Sequence, residues 1–96
     1  MYLLVAYDVS TTSSEGRRRL RRVARTCEDY GQRVQKSVFE CSLDERQLVV
    51  LRSRLLDEID LEEDNLRMYR FPGAFAESIE QYGRDPRIDF DGPLIV

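Results

Sequence analysis

The chain opens on an almost unbroken apolar run, Tyr2-Leu3-Leu4-Val5-Ala6-Tyr7, which stops at Asp8. A short run of strand formers ended by polar residues predicts a central strand covered on at least one face. It is far too short to span a bilayer, and no basic segment precedes it, so neither a membrane span nor a signal peptide is expected. Val9 and the polar stretch Ser10 to Ser14 follow as a loop. Thr12-Ser13-Ser14-Glu15 has the spacing of a capping box, with Thr12 as N-cap and Glu15 reaching back. Beyond it Leu20, Val23, Ala24, Cys27 and Tyr30 recur at the i, i+3, i+4, i+7 spacing of a helix with one apolar stripe. Gly31 is expected to stop this helix as a residue tolerant of positive φ.

In the next segment, Gln32 to Cys41, alternation breaks between Lys36 and Val38. This predicts two short strands, or one bent strand with a bulge, joined near Lys36-Ser37. A second capping-box pattern, Ser42-Leu43-Asp44-Glu45, opens a second helix whose stripe is Leu48, Leu51, Leu55 and Ile59, with Leu56 at its edge. Leu66 to Phe71 reads as a fourth strand, ended by Pro72-Gly73. The order strand, helix, strand, strand, helix, strand is the split βαβ plan, an α+β fold of ferredoxin-like βαββαβ type. With both helices on one sheet face the other face stays open, and a second copy of the chain is the simplest cover, so a homodimer is expected. Residues 1–83 form the expected domain. The rest, 84–96, is a tail ending in the apolar Leu94-Ile95-Val96; it suggests docking on a partner subunit, as an added strand. A weak strand pattern also runs around Ser78 to Tyr82.

Composition narrows the class. At 96 residues there is room for one domain, and a chain of this length buries only about 60 to 65% of its unfolded surface, so a partner subunit helps. Cys27 and Cys41 form no CxxC pair and the chain has no histidine, which argues against zinc. They read as small buried hydrophobes in a reducing, cytoplasmic compartment.

Net charge is −3, which argues against a generically basic nucleic-acid binder. The distribution matters more than the sum. Residues 17 to 25 carry Arg17, Arg18, Arg19, Arg21, Arg22 and Arg25 without an acid, whereas Asp57, Glu58, Asp60, Glu62, Glu63 and Asp64 fill residues 57 to 64 without a base. Lys36 is the only lysine among 15 basic residues, and arginine's planar fork suits phosphate better than an ammonium does. Arg18, Arg21, Arg22 and Arg25 fall opposite the apolar stripe, with Arg17 and Arg19 flanking it. No acid is interleaved among residues 17 to 25 to damp their repulsion, which favours phosphate binding over an idle solvated face. The acidic run reads as a solvated loop, with contact to a basic partner as the other reading.

Asp8, at the end of a central strand before a polar loop, fits a metal ligand and fits equally an Asx-turn. One carboxylate does not hold Mg²⁺ alone, but a two-fold axis nearby would bring a second Asp8. A bridging metal would then activate water for attack on phosphorus. Phe39 reads as core.

Tyr7-Asp8-Val9-Ser10, the arginine-rich helix ending Tyr30-Gly31, and Arg33-Val34-Gln35-Lys36-Ser37-Val38-Phe39-Glu40-Cys41 together resemble the CRISPR-associated protein two family. That family supplies the small partner of the integrase in spacer acquisition. The resemblance covers residues 2 to about 83. It implies a ferredoxin-like homodimer that bridges integrase dimers and holds duplex DNA. It also implies a metal-dependent endonuclease activity, weak and absent in some members, on single-stranded RNA or double-stranded DNA. By the same resemblance Asp8 binds magnesium, Tyr7 and Ser10 are the strand-end tyrosine and loop hydroxyl of the catalytic site, and the Arg17 to Arg22 group supplies the basic positions. Arg33 and Phe39 match the arginine and phenylalanine of the bent strand. Three readings follow: a Mg²⁺-dependent nuclease in which Arg17, Arg19 and Arg33 clamp phosphates, a scaffold without chemistry, and, third, a toxin-like messenger RNA interferase.

Overall fold

The computed structural model describes residues 1–72 and 79–84. Six elements follow one another: β1 (Tyr2–Asp8), α1 (Ser14–Glu28), β2 (Gly31–Gln35), β3 (Val38–Ser42), α2 (Glu45–Glu58) and β4 (Asn65–Phe71). The four strands make one antiparallel sheet in the order β2-β3-β1-β4. With the two crossover helices this is the ferredoxin-like arrangement, and the apolar run of β1 lies at its centre.

Alternation along β1 divides the two faces. Leu3, Val5 and Tyr7 are buried, and they join Phe39 and Cys41 of β3, Val23 and Cys27 of α1, and Leu48, Leu51 and Leu55 of α2 in one core. Val5 stands opposite Phe39 on one side and Met68 on the other, which locks the register: a slip of one residue would turn every core side chain of β1 to the far face. Tyr2, Leu4 and Ala6 occupy that far face, opposite Ser42, Glu40 and Val38 of β3 and Phe71, Tyr69 and Arg67 of β4. Neither helix covers it, and Tyr69 is 40% exposed.

The segment around Lys36-Ser37 resolves into two strands joined by a two-residue turn, with a register shift between Arg33 and Gln35. The sequence left open either two strands or one bulged strand; both features occur.

The caps differ from expectation. Ser13, not Thr12, caps α1, its Oγ accepting from Gly16 N at 3.0 Å. The reason is steric: the Ser10 carbonyl lies where a side chain on residue 16 would project, so the loop packs onto the glycine and enters the helix one residue late. Glu15 then stands one position short of a capping box. At α2 the box is Asp44 with Gln47, and the side-chain–backbone bonds measure 2.7 and 3.0 Å. Ser42 is unavailable because the β1–β3 ladder uses it opposite Tyr2.

Gly31 does not end α1 in a left-handed conformation. The helix stops at Glu28 with Asp29 as a right-handed C-cap, and Gly83 is the one described residue with positive φ. Gly31 instead opens β2, where a Cβ would strike the Glu40 carbonyl and come within 2.5 Å of Cys41 Sγ. The requirement is close approach, not backbone freedom.

The weak strand pattern around Ser78 to Tyr82 is not realised at residues 79–82, which carry no strand; Ser78 and the apolar end Leu94-Ile95-Val96 lie outside the described residues. Among the described residues no helix is long and apolar enough to cross a membrane.

Candidate nucleic-acid interface

The polar residues of interest gather where β1 ends. Asp8 is exposed and stands opposite Asn65 across the β1–β4 ladder. Alternation places its side chain on the open sheet face with Leu4 and Ala6. Among the described residues no hydrogen bond or ion pair engages its carboxylate, so it is free to meet a cation or a phosphate-bound water.

Its neighbour Tyr7 points the other way. The ring is buried and stacks on Phe39 with centroids 6.2 Å apart. Burial is the main cause that pushes its hydroxyl up to about 12, with Cys27 and Glu28 adding and Arg33 opposing. At neutral pH Tyr7 therefore keeps its proton: it can donate a hydrogen bond but does not serve as a base. Phe39 is fully buried, and the Arg33 guanidinium carbon lies 5.1 Å from its ring centroid. The same guanidinium approaches Glu28 at 3.7 Å.

These residues share a cleft of about 440 Å³ at the strand ends, bordered by Tyr7, Asp8, Arg21, Arg33, Lys36 and Ser37. The β2–β3 turn is held beside β1 by the Tyr7 N–H, which donates to the Ser37 carbonyl at 3.1 Å. That contact brings Lys36 to the rim. Lys36 is a cation of the site that the sequence reading passed over as a turn residue. Its one available signal was that it is the only lysine in the chain.

The arginines of α1 do not act as one face. Arg21 borders the cleft, while Arg18, Arg19 and Arg22 flank a second, smaller concavity with Glu15. Arg17 donates to the Thr11 carbonyl at 3.2 Å. Arg19 is engaged: its Nε lies 2.9 Å from an oxygen of Asp64. Asp64 also accepts from the backbone N–H groups of Ser10 and Asp60 at 3.0 and 2.8 Å. Burial alone would raise the Asp64 carboxyl, but the hydrogen bonds from Arg19, Asp60 and Ser10 outweigh it and hold it below the ordinary carboxylate range. One member of the acidic run is thus interior. No sequence signal separates it from its five acidic neighbours, because burial here depends on where α1 packs. Ser10 also places its hydroxyl 3.3 Å from that of Thr12.

Among the described residues no group of three or more His, Cys, Asp or Glu side chains could hold a metal ion. One chain contributes a single exposed carboxylate, with the Ser10 hydroxyl two residues on. A donor set of oxygens suits Mg²⁺, which takes one or two carboxylates and completes its shell with water and phosphate.

A small ferredoxin-like domain with an exposed carboxylate at a strand end, and with Arg21 of an arginine-rich helix bordering the same cleft, has the features of a class of proteins suited to phosphate. Comparison with known proteins specifies the family. The family model described as CRISPR associated protein Cas2 matches residues 1–77, and the chain belongs to that family. It is 52% identical over 96 residues, covering 100% of both chains, to the CRISPR-associated endoribonuclease Cas2 1 of Moorella thermoacetica. It is 48% identical over 95 residues, 99% of each chain, to the CRISPR-associated endonuclease Cas2 of Halalkalibacterium halodurans. Among solved structures, Streptococcus pyogenes Cas2 at pH 6.5 superposes with a TM-score of 0.78 at 46% identity, covering 86% of this chain and 100% of that one.

Proposed function

We propose that this chain is a CRISPR adaptation protein that binds duplex DNA as a homodimer, works with the integrase in acquiring new spacers, and carries a slow Mg²⁺-dependent endonuclease activity centred on Asp8. The observation that carries the reading is the Asp8 carboxylate: exposed, unpaired among the described residues, and on the sheet face that no helix covers. The names of two relatives, endoribonuclease and endonuclease, support the nuclease class. A second copy packed on the open sheet face would seal Leu4, Ala6 and Tyr69 and bring a second Asp8 toward the first. Two carboxylates at close range repel, which a shared cation relieves. Bound there, Mg²⁺ would supply a polarised phosphoryl oxygen and an acidified water.

The chain's own residues then have distinct tasks. Asp8 from each subunit holds the cation. Arg21, Arg33 and Lys36 hold the backbone phosphates beside it, and the exposed arginines of α1 extend that track; such contacts set position without reading sequence. Tyr7 stays protonated and supports the strand end by its stacking on Phe39, and the Ser10 hydroxyl faces the phosphate. Substrate is duplex DNA or single-stranded RNA. The protein acts in the cytoplasm, where Cys27 and Cys41 stay reduced, and residues 84–96 dock on the partner subunit.

The test is cleavage by the purified dimer, wild type against Asp8→Asn, on single-stranded RNA and duplex DNA with Mg²⁺ or EDTA. Mg²⁺-dependent cutting that the substitution abolishes is expected. Full-rate cutting by the variant would sink the role of Asp8. No cutting by either, with salt-sensitive duplex binding kept by both, would leave a scaffold whose chemistry belongs to the integrase. That second reading is favoured by one observation: a single chain does not assemble a metal-ligand cluster among its described residues.

A further inference from the structure

Asp64 has no exposed side-chain surface. A carboxylate withdrawn from water must have its lone pairs met by donors, and Asp64 meets four. Arg19 supplies Nε at 2.9 Å and Nη2 at 3.4 Å, Ser10 N–H lies at 3.0 Å, and Asp60 N–H at 2.8 Å. The donors come from α1, from the loop after β1 and from the loop before β4. Ser10 is two residues past Asp8, and Asp64 directly precedes Asn65, the cross-strand partner of Asp8. One carboxylate therefore secures both sides of the corner that carries Asp8. Arg17 adds its bond to the Thr11 carbonyl, and Gly16 lets the Ser10 carbonyl pack against α1.

We infer that Arg19 and Asp64 form a positioning pair that fixes the Asp8–Thr12 loop, and that Arg19 takes no part in holding phosphate. The inference rests on the reading of Asp8 given above. Arg19 is only 12% exposed and commits two of its nitrogens to Asp64. Turning to a nucleic-acid phosphate would strand a buried charge. Arg18 and Arg22, exposed beside it, carry no such commitment among the described residues. The arginine that the sequence marks as a phosphate clamp is thus assigned to the loop.

The experiment compares Arg19→Met, Asp64→Asn and their double variant with Arg18→Met and Arg22→Met, all in the full chain. Each contacting arginine removed should lower the slope of log K against log salt for duplex binding by about one. That loss is expected for Arg18→Met and Arg22→Met, and no change for Arg19→Met. Amide exchange over residues 9–12 should accelerate roughly tenfold or more in Arg19→Met and Asp64→Asn, while residues 3–7 keep their protection. Cleavage kcat should fall roughly tenfold or more with KM nearly constant, since a small misplacement of the reacting group is costly. The double variant should be no worse than either single one. If Arg19→Met does not fold, Arg19→Lys, which keeps the charge but not the paired donors, carries the same measurements with intermediate effects.

A slope reduced by about one in Arg19→Met would make Arg19 a phosphate contact and overturn the assignment. Unchanged exchange in the loop would do the same. A wild type that cuts nothing would sink the nuclease reading of Asp8 alone, because exchange and salt slope still decide the pair.

Discussion

The Arg33 guanidinium lies over the ring of Phe39, 5.1 Å from its centroid, so one buried aromatic serves the core and steadies a cation at the cleft. The two duties separate by substitution. Phe39→Ala removes a fully buried ring and should cost about 3–5 kcal/mol, measured by urea unfolding. Phe39→Leu should keep the fold at a fraction of that cost, yet weaken duplex binding by freeing Arg33. Unaltered binding in Phe39→Leu would mean that the ring contributes nothing to the cleft.

Gly31 faces the β3 backbone so closely that a methyl group has no room. Gly31→Ala should destabilise by about 1–3 kcal/mol as the hairpin is forced apart, seen as a lower urea midpoint at constant m. A neutral result would show that β2 yields easily and that the Cys41 contact is not tight.

The open sheet face predicts oligomeric state. Leu4→Asp, opposite Glu40 and Tyr69, places a charge at the centre of that face and next to an existing acid. Sedimentation should shift from dimer to monomer while the circular dichroism of the subunit persists. A dimer that survives must be built elsewhere.

The pH dependence has two limbs of opposite sign. Burial pushes the Cys27 thiol up to about 12 and Cys41 up to about 11. Tyr7 is raised likewise, chiefly by burial. In the unfolded chain these groups lose their protons earlier, so the stability they contribute is present below about pH 8.5 and is lost as pH rises through the native values. Asp64 works the other way. Its stability is present above the unfolded carboxylate value and is lost as pH falls through its lowered native one. Urea unfolding from pH 3 to 10.5 should show a plateau falling at both ends. At pH 8 a thiol reagent should leave both cysteines unmodified until denaturant is added; rapid labelling of the native protein would contradict their burial.

The order of elements, the helix stripes and the burial of Phe39 and both cysteines follow from periodicity along the chain, because an apolar stripe must face a core wherever that core lies. The motif around Asp8 was legible for the same reason: it ends the central strand, and strand ends are visible in sequence. The locations of the caps were not, since Ser13 and Asp44 win over Thr12 and Ser42 through contacts with Gly16 and with Tyr2 of β1. Nor was the meaning of Gly31, whose reason is the neighbouring strand. Helical spacing set Arg17 and Arg19 beside the apolar stripe and the other four arginines opposite it, but assigned none of the six a partner. Only packing binds Arg19 to Asp64 while Arg18 and Arg22 beside it stay exposed, and brings the turn residue Lys36 to the rim of the cleft. Local periodicity decides which residues are interior, because it acts within one element. Which charge pairs with which is decided across elements, where chain spanning 45 positions must fold before Arg19 and Asp64 can meet.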